Sequence, residues 1–413
     1  MPVALGKSQL RSLFFPAWLS CSLLMTACTI TDDRDVVTRL LPAQVPVAQV
    51  APSPEVDGVP ALQIVDGVIA NTGPDPLVDL DRITSGGLPP DGLPSIDQPR
   101  FVRARSVWFL SDREPVLSLE INGDARAYPV QIMMWHEIVN DVVGGVPVTV
   151  TYCPLCNSAV AYERVLDDRT LEFGTSGRLL NSSLVMYDRQ TGSLWSHFTG
   201  QAIVGDLVGE RLPVSPLATV AWDDWRSAHP NGLVLDRETG FIKEYGLNPY
   251  PGYDDVDATP FLFEGSVNGQ FTAMTRMVAF IVGEQGFAIP LDRLRREPLL
   301  QPVVGDRRVV VWWKPGVSSA LDSFDVAAGR DVGATFVGSA EADDVFVLQD
   351  GVVKDRATGS TWDIFGRAVA GSRQGEVIER LPHFDTFWFA WSAFRPNTTV
   401  WSDSVDDVNT DGE

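Results

Sequence analysis

Apolar and polar positions alternate with a period of two along much of the chain. The pattern holds in "VLSLEING" (116–123), "PVTVTYC" (147–153), "AVAYERV" (159–165), "TLEFGTSG" (170–177) and "SLVMYDR" (183–189). Farther on, "VAFIVG" (278–283), "RVVVWW" (308–313) and "DVFVLQDGVVKDR" (344–356) alternate or run apolar. Gly and Asp turns separate these segments, so each reads as a strand. Helical patterning is sparse. It predicts helices over 129–140, over 216–228 (Pro216 near the first turn, "HPNG" closing) and over 384–394, led in by His383-Phe384-Asp385. These elements predict an α+β, β-dominated protein with few short helices.

The pattern also repeats. "YDRQTGSLWSHFTGQAIVG" (187–205) returns as "KDRATGSTWDIFGRAVAG" (354–371), with Asp188 and Trp195 matched by Asp355 and Trp362 at an offset of 167. "WDDWRSAHPN" (222–231) matches "WFAWSAFRPN" (388–397) at 166, and "VTVTYCP" (148–154) aligns with "VVVWWKP" (309–315) at 161. A shared segment of this length points to internal duplication and hence to two lobes. Residues 76–245 form the first, and residues 246–402 form a degenerate second. The copies differ where chemistry would sit. Cys153 stands opposite Lys314 (Trp313 in the adjacent register), Cys156 opposite Val317, and His136 opposite Glu297. The repeated D-R-x-T-G-S-x-W occurs with and without cysteines, which favours a structural turn over a buried Trp rather than a ligand loop.

The N-terminus bears on the compartment. Lys7 and Arg11 precede the apolar run "SLFFPAWLSCSLLMTAC", the layout of a secretory signal over residues 1–27. Leu24-Met25-Thr26-Ala27-Cys28 resembles a lipobox, which makes Cys28 the lipidation site; the alternative is an ordinary signal cut at Ala27 that leaves Cys28 free. The expectation is an exported lipoprotein on the periplasmic or outer face of the cell envelope. Residues 28–75, rich in Pro, Val, Ala and Asp, read as a tether, and 403–413 as an acidic tail. The net charge of −22 argues against nucleic acid or an anionic membrane surface as partner. Lysine is confined to Lys7, Lys243, Lys314 and Lys354, a compositional bias rather than a site.

Of four cysteines, only Cys153 and Cys156 remain in the body of the chain. C-P-L-C lies between two strand patterns, which places the pair in a tight β-turn rather than at the head of a long helix. Asn157 can take the left-handed conformation there. His136, in "MWHEIVNDVVGG", is one of four histidines. The likeness to H-E-x-x-H fails because Asn140 stands where the second His belongs. A turn at Gly144-Gly145 would return the chain and bring His136 beside the thiols. "FGTSG" does not fit the hydrolase elbow, and no phosphate loop or dinucleotide fingerprint occurs. Three readings remain open: a thiol/disulfide pair tuned by His136; a zinc or copper site of Cys153, Cys156 and His136, with His197 or Asp141 as a fourth ligand; and a binding module with a purely structural disulfide.

Tyr128-Pro129, His136-Glu137-x-x-Asn140-Asp141, Gly145-x-Pro147, Thr151-Tyr152-Cys153-Pro154-Leu155-Cys156 and Asp188-Arg189-x-Thr191-Gly192-Ser193-x-Trp195 resemble a widespread family of secreted bacterial and archaeal proteins, a domain of unknown function. The resemblance spans about residues 100–400. Some relatives are labelled as selenoprotein candidates, which implies redox chemistry at the Cys153 or Cys156 position over structural zinc. The leading expectation is an envelope-anchored thiol/disulfide redox protein, its partner not specified. Cys153 attacks and Cys156 resolves, or the reverse. His136 tunes the thiols, Asn140 and Asp141 orient His136, and no cofactor is required.

Overall fold

Strand Val146–Cys153 owes its nearly unbroken apolar character to a central position. It lies between Ile138–Val143 and Ser158–Glu163 in an antiparallel sheet of four, with Val214–Ser215 on the outer edge. Every residue from Val148 to Cys153 is buried, because both faces of this strand are covered. The Gly144-Gly145 turn that feeds it has positive φ at both residues, and a Cβ at Gly144 would meet Ile121 O at 2.1 Å.

The computed structural model describes residues 73–402 except Asp306, together with strands Ile64–Val65 and Val68–Ile69 and with Asn71. The expected signal, the expected lipidation site Cys28, most of the expected tether and the acidic tail lie outside the described residues.

Strands dominate, as the alternation predicts, and the described residues hold four α-helices of six or seven residues. Their extents differ from the expected ones. Helix α1 is Val130–His136, not 129–140. Glu137 closes it in the left-handed conformation, and the β-branched run that follows is strand Ile138–Val143. Helix α2 is Trp222–Ala228; residues Leu217–Ala221 before it pair as a strand with Pro115–Ile121. Helix α4 is Trp388–Phe394; the stretch His383–Phe387 pairs with Arg276–Val282. Helix α3, Leu291–Arg296, was not anticipated. Each helix starts at the residue after a strand, so a short apolar window spans both periods and blurs the boundary.

Strand orders recur between the halves. Leu217–Ala221, Pro115–Ile121, Asp124–Pro129 and Leu233–Leu235 are successive neighbours, the last pair parallel. His383–Phe387, Arg276–Val282, Gln285–Pro290 and Thr399–Val400 follow the same order, again with a parallel last pair. The described residues belong to one compact unit. Its largest apolar cluster joins Met133, Tyr152, Cys153, Cys156 and Trp195 from the first half to Phe387, Trp388 and Trp391 from the second. The cysteine turn is held at that junction: Cys156 O accepts hydrogen bonds from Thr386 Oγ1 (2.9 Å) and Phe387 N (3.2 Å).

Candidate functional site

Cys153 is the last residue of its strand and pairs with Ser158, so Pro154–Asn157 form the hairpin turn. Asn157 N donates to Pro154 O (3.2 Å), and Asn157 has φ 49°, the left-handed conformation expected of it. Both thiols are free in this structure, and backbone hydrogen bonds hold the turn. Neither sulfur is accessible at the surface: Cys153 is 1% and Cys156 0% exposed.

The two thiols are not equivalent. Cys156 Sγ lies 3.3 Å from Ser158 Oγ and 3.6 Å from Ser183 Oγ. Burial alone would push the Cys156 thiol up; hydrogen bonds from Cys153, Ser158 and Ser183 together outweigh it and hold the thiol below its usual range. Burial pushes Cys153 well above that range, and its hydrogen bond to Cys156 adds to the rise. The surroundings therefore favour ionisation of Cys156 over that of Cys153, which stands beside it as a donor.

His197, not His136, is the histidine of this site. Its Nδ1 lies 2.8 Å from Thr151 Oγ1, and its Nε2 2.8 Å from Ser158 Oγ. The Thr151 hydroxyl proton is used on Val160 O (2.9 Å), so Nδ1–H must donate to Thr151 and Nε2 must accept from Ser158. Ser158 Oγ can then accept from Cys156 S–H. A proton leaving Cys156 has a continuous path through Ser158 to His197 Nε2, and every member remains hydrogen-bonded afterwards. Burial keeps His197 neutral at rest, against the opposing pull of Cys153.

His136 is engaged elsewhere. Its Nδ1–H donates to Pro94 O (2.7 Å), and its Nε2 meets Tyr245 Oη (2.5 Å). Neither neighbour is a thiol, so the tuning role expected of His136 fails. The expected orienting roles fail with it. Asn140 bonds Asp97 (2.7 Å) and both backbone groups of Phe173. Asp141 accepts from Arg126 (2.9 Å) and Tyr128 (2.7 Å). The expected ligand set of Cys153, Cys156 and His136 for zinc or copper does not converge, and among the described residues no group of three or more His, Cys, Asp or Glu side chains does so.

Burial lowers the His136 pKa to about 4, with Lys243 adding to the fall and Pro94 opposing it. In the unfolded chain the value is near 6.5. Between these values the unfolded state holds the extra proton, so the stability from neutral His136 is complete above pH 6.5 and is lost as pH falls toward 4. The loss is roughly 3 kcal/mol. Urea midpoints should therefore fall less across this window in His136→Gln than in the parent protein. Equal falls would refute it.

Glu137 is the acidic group that the fold sets near Cys153. Its N–H donates to Met133 O (2.7 Å), its carbonyl accepts from Tyr152 N (2.8 Å), and φ is 58°. That conformation is costly for a non-glycine residue and persists only where both flanks are pinned. Burial holds its carboxyl well above the usual range, and Cys153 adds to the rise. Sequence reasoning missed Ser158 and Ser183; it gave His197 only as a fourth metal ligand, and Glu137 only as part of a motif with no role of its own. One signal was present: His197 stands opposite Ile364 in the matched segments, so it differs between them just as the cysteines do.

No curated protein and no solved structure matches the chain. A family profile, "Protein of unknown function (DUF3179)", matches residues 90–398. The sheet of the cysteine turn, His197 and all of the recurring strands except Thr399–Val400 lie within that match, and the chain belongs to the DUF3179 family.

Proposed function

We propose that the protein is a thiol/disulfide redox protein in which Cys156 attacks and Cys153 resolves. The observation that carries this reading is the Cys156–Ser158–His197 chain, with a second thiol hydrogen-bonded to the first. Cys156 passes its proton through Ser158 to His197, and the thiolate attacks one sulfur of a partner disulfide. A mixed disulfide forms, and the first partner thiolate leaves, taking up the proton that His197 held. Cys153 then gives up its proton and displaces the second partner thiolate, which takes that proton. The partner disulfide is reduced to two thiols, and Cys153 and Cys156 are oxidised to one disulfide.

The test is equilibration in dithiothreitol redox buffers, followed by acid quenching and thiol counting. A single transition that removes both thiols is expected and should vanish in Cys156→Ser. Two free thiols at every potential would sink the reading.

The matched sequence segments and recurring strand orders support descent of the two halves by duplication, the second having lost the thiols and the histidine. Export and anchoring through Cys28 belong to the same proposal. Fatty-acid labelling in a bacterial host should be lost in Cys28→Ala; labelling that survives would refute the anchor.

A further inference from the structure

Residues 236–275, between strands Leu233–Leu235 and Arg276–Val282, contain no helix or strand. An ordered loop of that length is uncommon and is usually functional. Part of it covers the cysteine turn. Tyr253 Oη donates to Leu155 O (3.0 Å), inside C-P-L-C, and the Tyr253 hydroxyl is coupled electrostatically to Cys153 and Cys156. The neighbouring residue faces a different environment. Asp254 is buried; its carboxylate accepts from Arg276 (2.6 Å), Arg330 (2.8 Å) and Ser319 (2.5 Å). Gly252 precedes the pair in the left-handed conformation (φ 75°), its N–H on Asp322 O (2.7 Å).

Asp254 forms part of the wall of an open cavity of about 530 Å³. Arg276, Arg293, Arg295, Arg296 and Arg330 line it, against the carboxylates of Asp254, Asp255 and Asp292. Five arginines around one cavity stand out in a chain of net charge −22. Guanidinium groups present a planar fork that matches the oxygens of a carboxylate or a phosphate. Arg276 Nε is buried with no hydrogen-bond partner, so its donors are not all used by Asp254.

We propose that this arginine-lined cavity binds a small oxyanion, which replaces the Asp254 carboxylate on Arg276 and Arg330 and so frees Tyr253 from the cysteine turn. Asp254 is then a built-in occupant of the site, and the ligand controls access to the buried thiols. The proposal gives the redox reading its missing entrance. Its test does not depend on that reading, because alkylation reports exposure of Cys156 whether or not the thiols exchange.

The experiment is iodoacetamide labelling of the full chain at constant ionic strength, with the site of labelling read by peptide mass mapping. Inorganic phosphate is compared with chloride, and malonate forms a third arm. Saturable acceleration of Cys156 labelling by phosphate is expected. Acceleration by malonate as well assigns the site to oxyanions generally; acceleration by phosphate alone assigns it to phosphoryl groups. Asp254→Asn should label about tenfold faster without any anion, since it releases one end of a buried ion pair, and phosphate should add little. Arg330→Ala, at a more exposed position, should also raise the basal rate and weaken the phosphate response; it serves if Asp254→Asn does not fold. Equal rates in phosphate and chloride, or folded variants that label no faster than the parent, would overturn the proposal.

Discussion

Cys156→Ser is expected to abolish disulfide exchange, whereas Cys153→Ala should leave one reactive thiol that responds only at higher pH. The asymmetry follows from the hydrogen bonds. Burial disfavours both thiolates, but Cys156 has Cys153, Ser158 and Ser183 as donors, whereas Cys153 is opposed by the charge of Cys156. Cys153 is the largest of the favourable contributions to the Cys156 thiolate. A hydrogen bond to a charged group is worth about 1.5–3 kcal/mol, so losing it should slow alkylation at neutral pH about tenfold or more. Ser158→Ala should act in the same direction and also cut the path to His197. The measurement is the pH dependence of Cys156 labelling rates, with the covering segment opened equally in all variants by Asp254→Asn. If Cys153→Ala reacts at the same pH as its parent, the donor role of Cys153 is wrong. If Cys156→Ser still exchanges disulfides, the assignment of the attacking thiol is wrong.

The site was half legible from sequence. Its turn was: alternation on both sides of C-P-L-C excludes a helix opening at Cys153, and Asn157 supplies the left-handed residue such a turn needs. The histidine was not. Proximity along the chain favoured His136, 17 positions before Cys153. Sheet pairing decides otherwise. His197 comes from a more distant segment, and Thr151 and Ser158, on adjacent strands of the cysteine hairpin, hold its ring. Pairing between distant strands depends on register and burial, which one sequence does not state. The mirror image of this error appears at His136, where a segment 109 positions away supplies Tyr245 to fill its second nitrogen.

Strand content was readable because most core strands alternate cleanly or run apolar. Helix ends were not, because each helix begins at the residue after a strand and buries apolar residues on both sides of the junction. Trp388, Phe389, Ala390 and Trp391 are all buried, as are His383, Phe384, Thr386 and Phe387 before them. With so many consecutive buried positions, neither period stands out. The covering segment was the least visible feature. "NPYPGYDDVDATP" (248–260) looks like an ordinary polar loop, and its place over the turn comes from contacts with other segments: Tyr253 on Leu155 O and Asp254 on Arg276 and Arg330.

The repeated D-R-x-T-G-S-x-W makes the second large prediction. Asp188 is fully buried, and its carboxylate accepts from Thr191 N (2.7 Å), Thr191 Oγ1 (2.9 Å) and Trp195 Nε1 (2.9 Å). Asp355 accepts the same three bonds, from Thr358 N (2.7 Å), Thr358 Oγ1 (2.8 Å) and Trp362 Nε1 (3.3 Å). Alanine at Asp188 strands the half-buried Thr191 N–H and the buried Trp195 indole N–H; at Asp355 it strands the Trp362 indole N–H, while the exposed Thr358 can turn to water. Each stranded donor costs about 1–3 kcal/mol, so Asp188→Ala should destabilise the fold by roughly 3 kcal/mol or more and Asp355→Ala by about 1–3 kcal/mol. The shorter Trp195 bond makes Asp188 the costlier loss. If the loop instead served a ligand, the carboxylate would be free to face it, and its removal would leave stability nearly unchanged. Urea unfolding of both variants distinguishes the cases. A fall in both midpoints, larger for Asp188→Ala, identifies the motif as a strand-joining staple in each half. A normal midpoint with altered thiol chemistry in Asp188→Ala would return the motif to the list of functional sites.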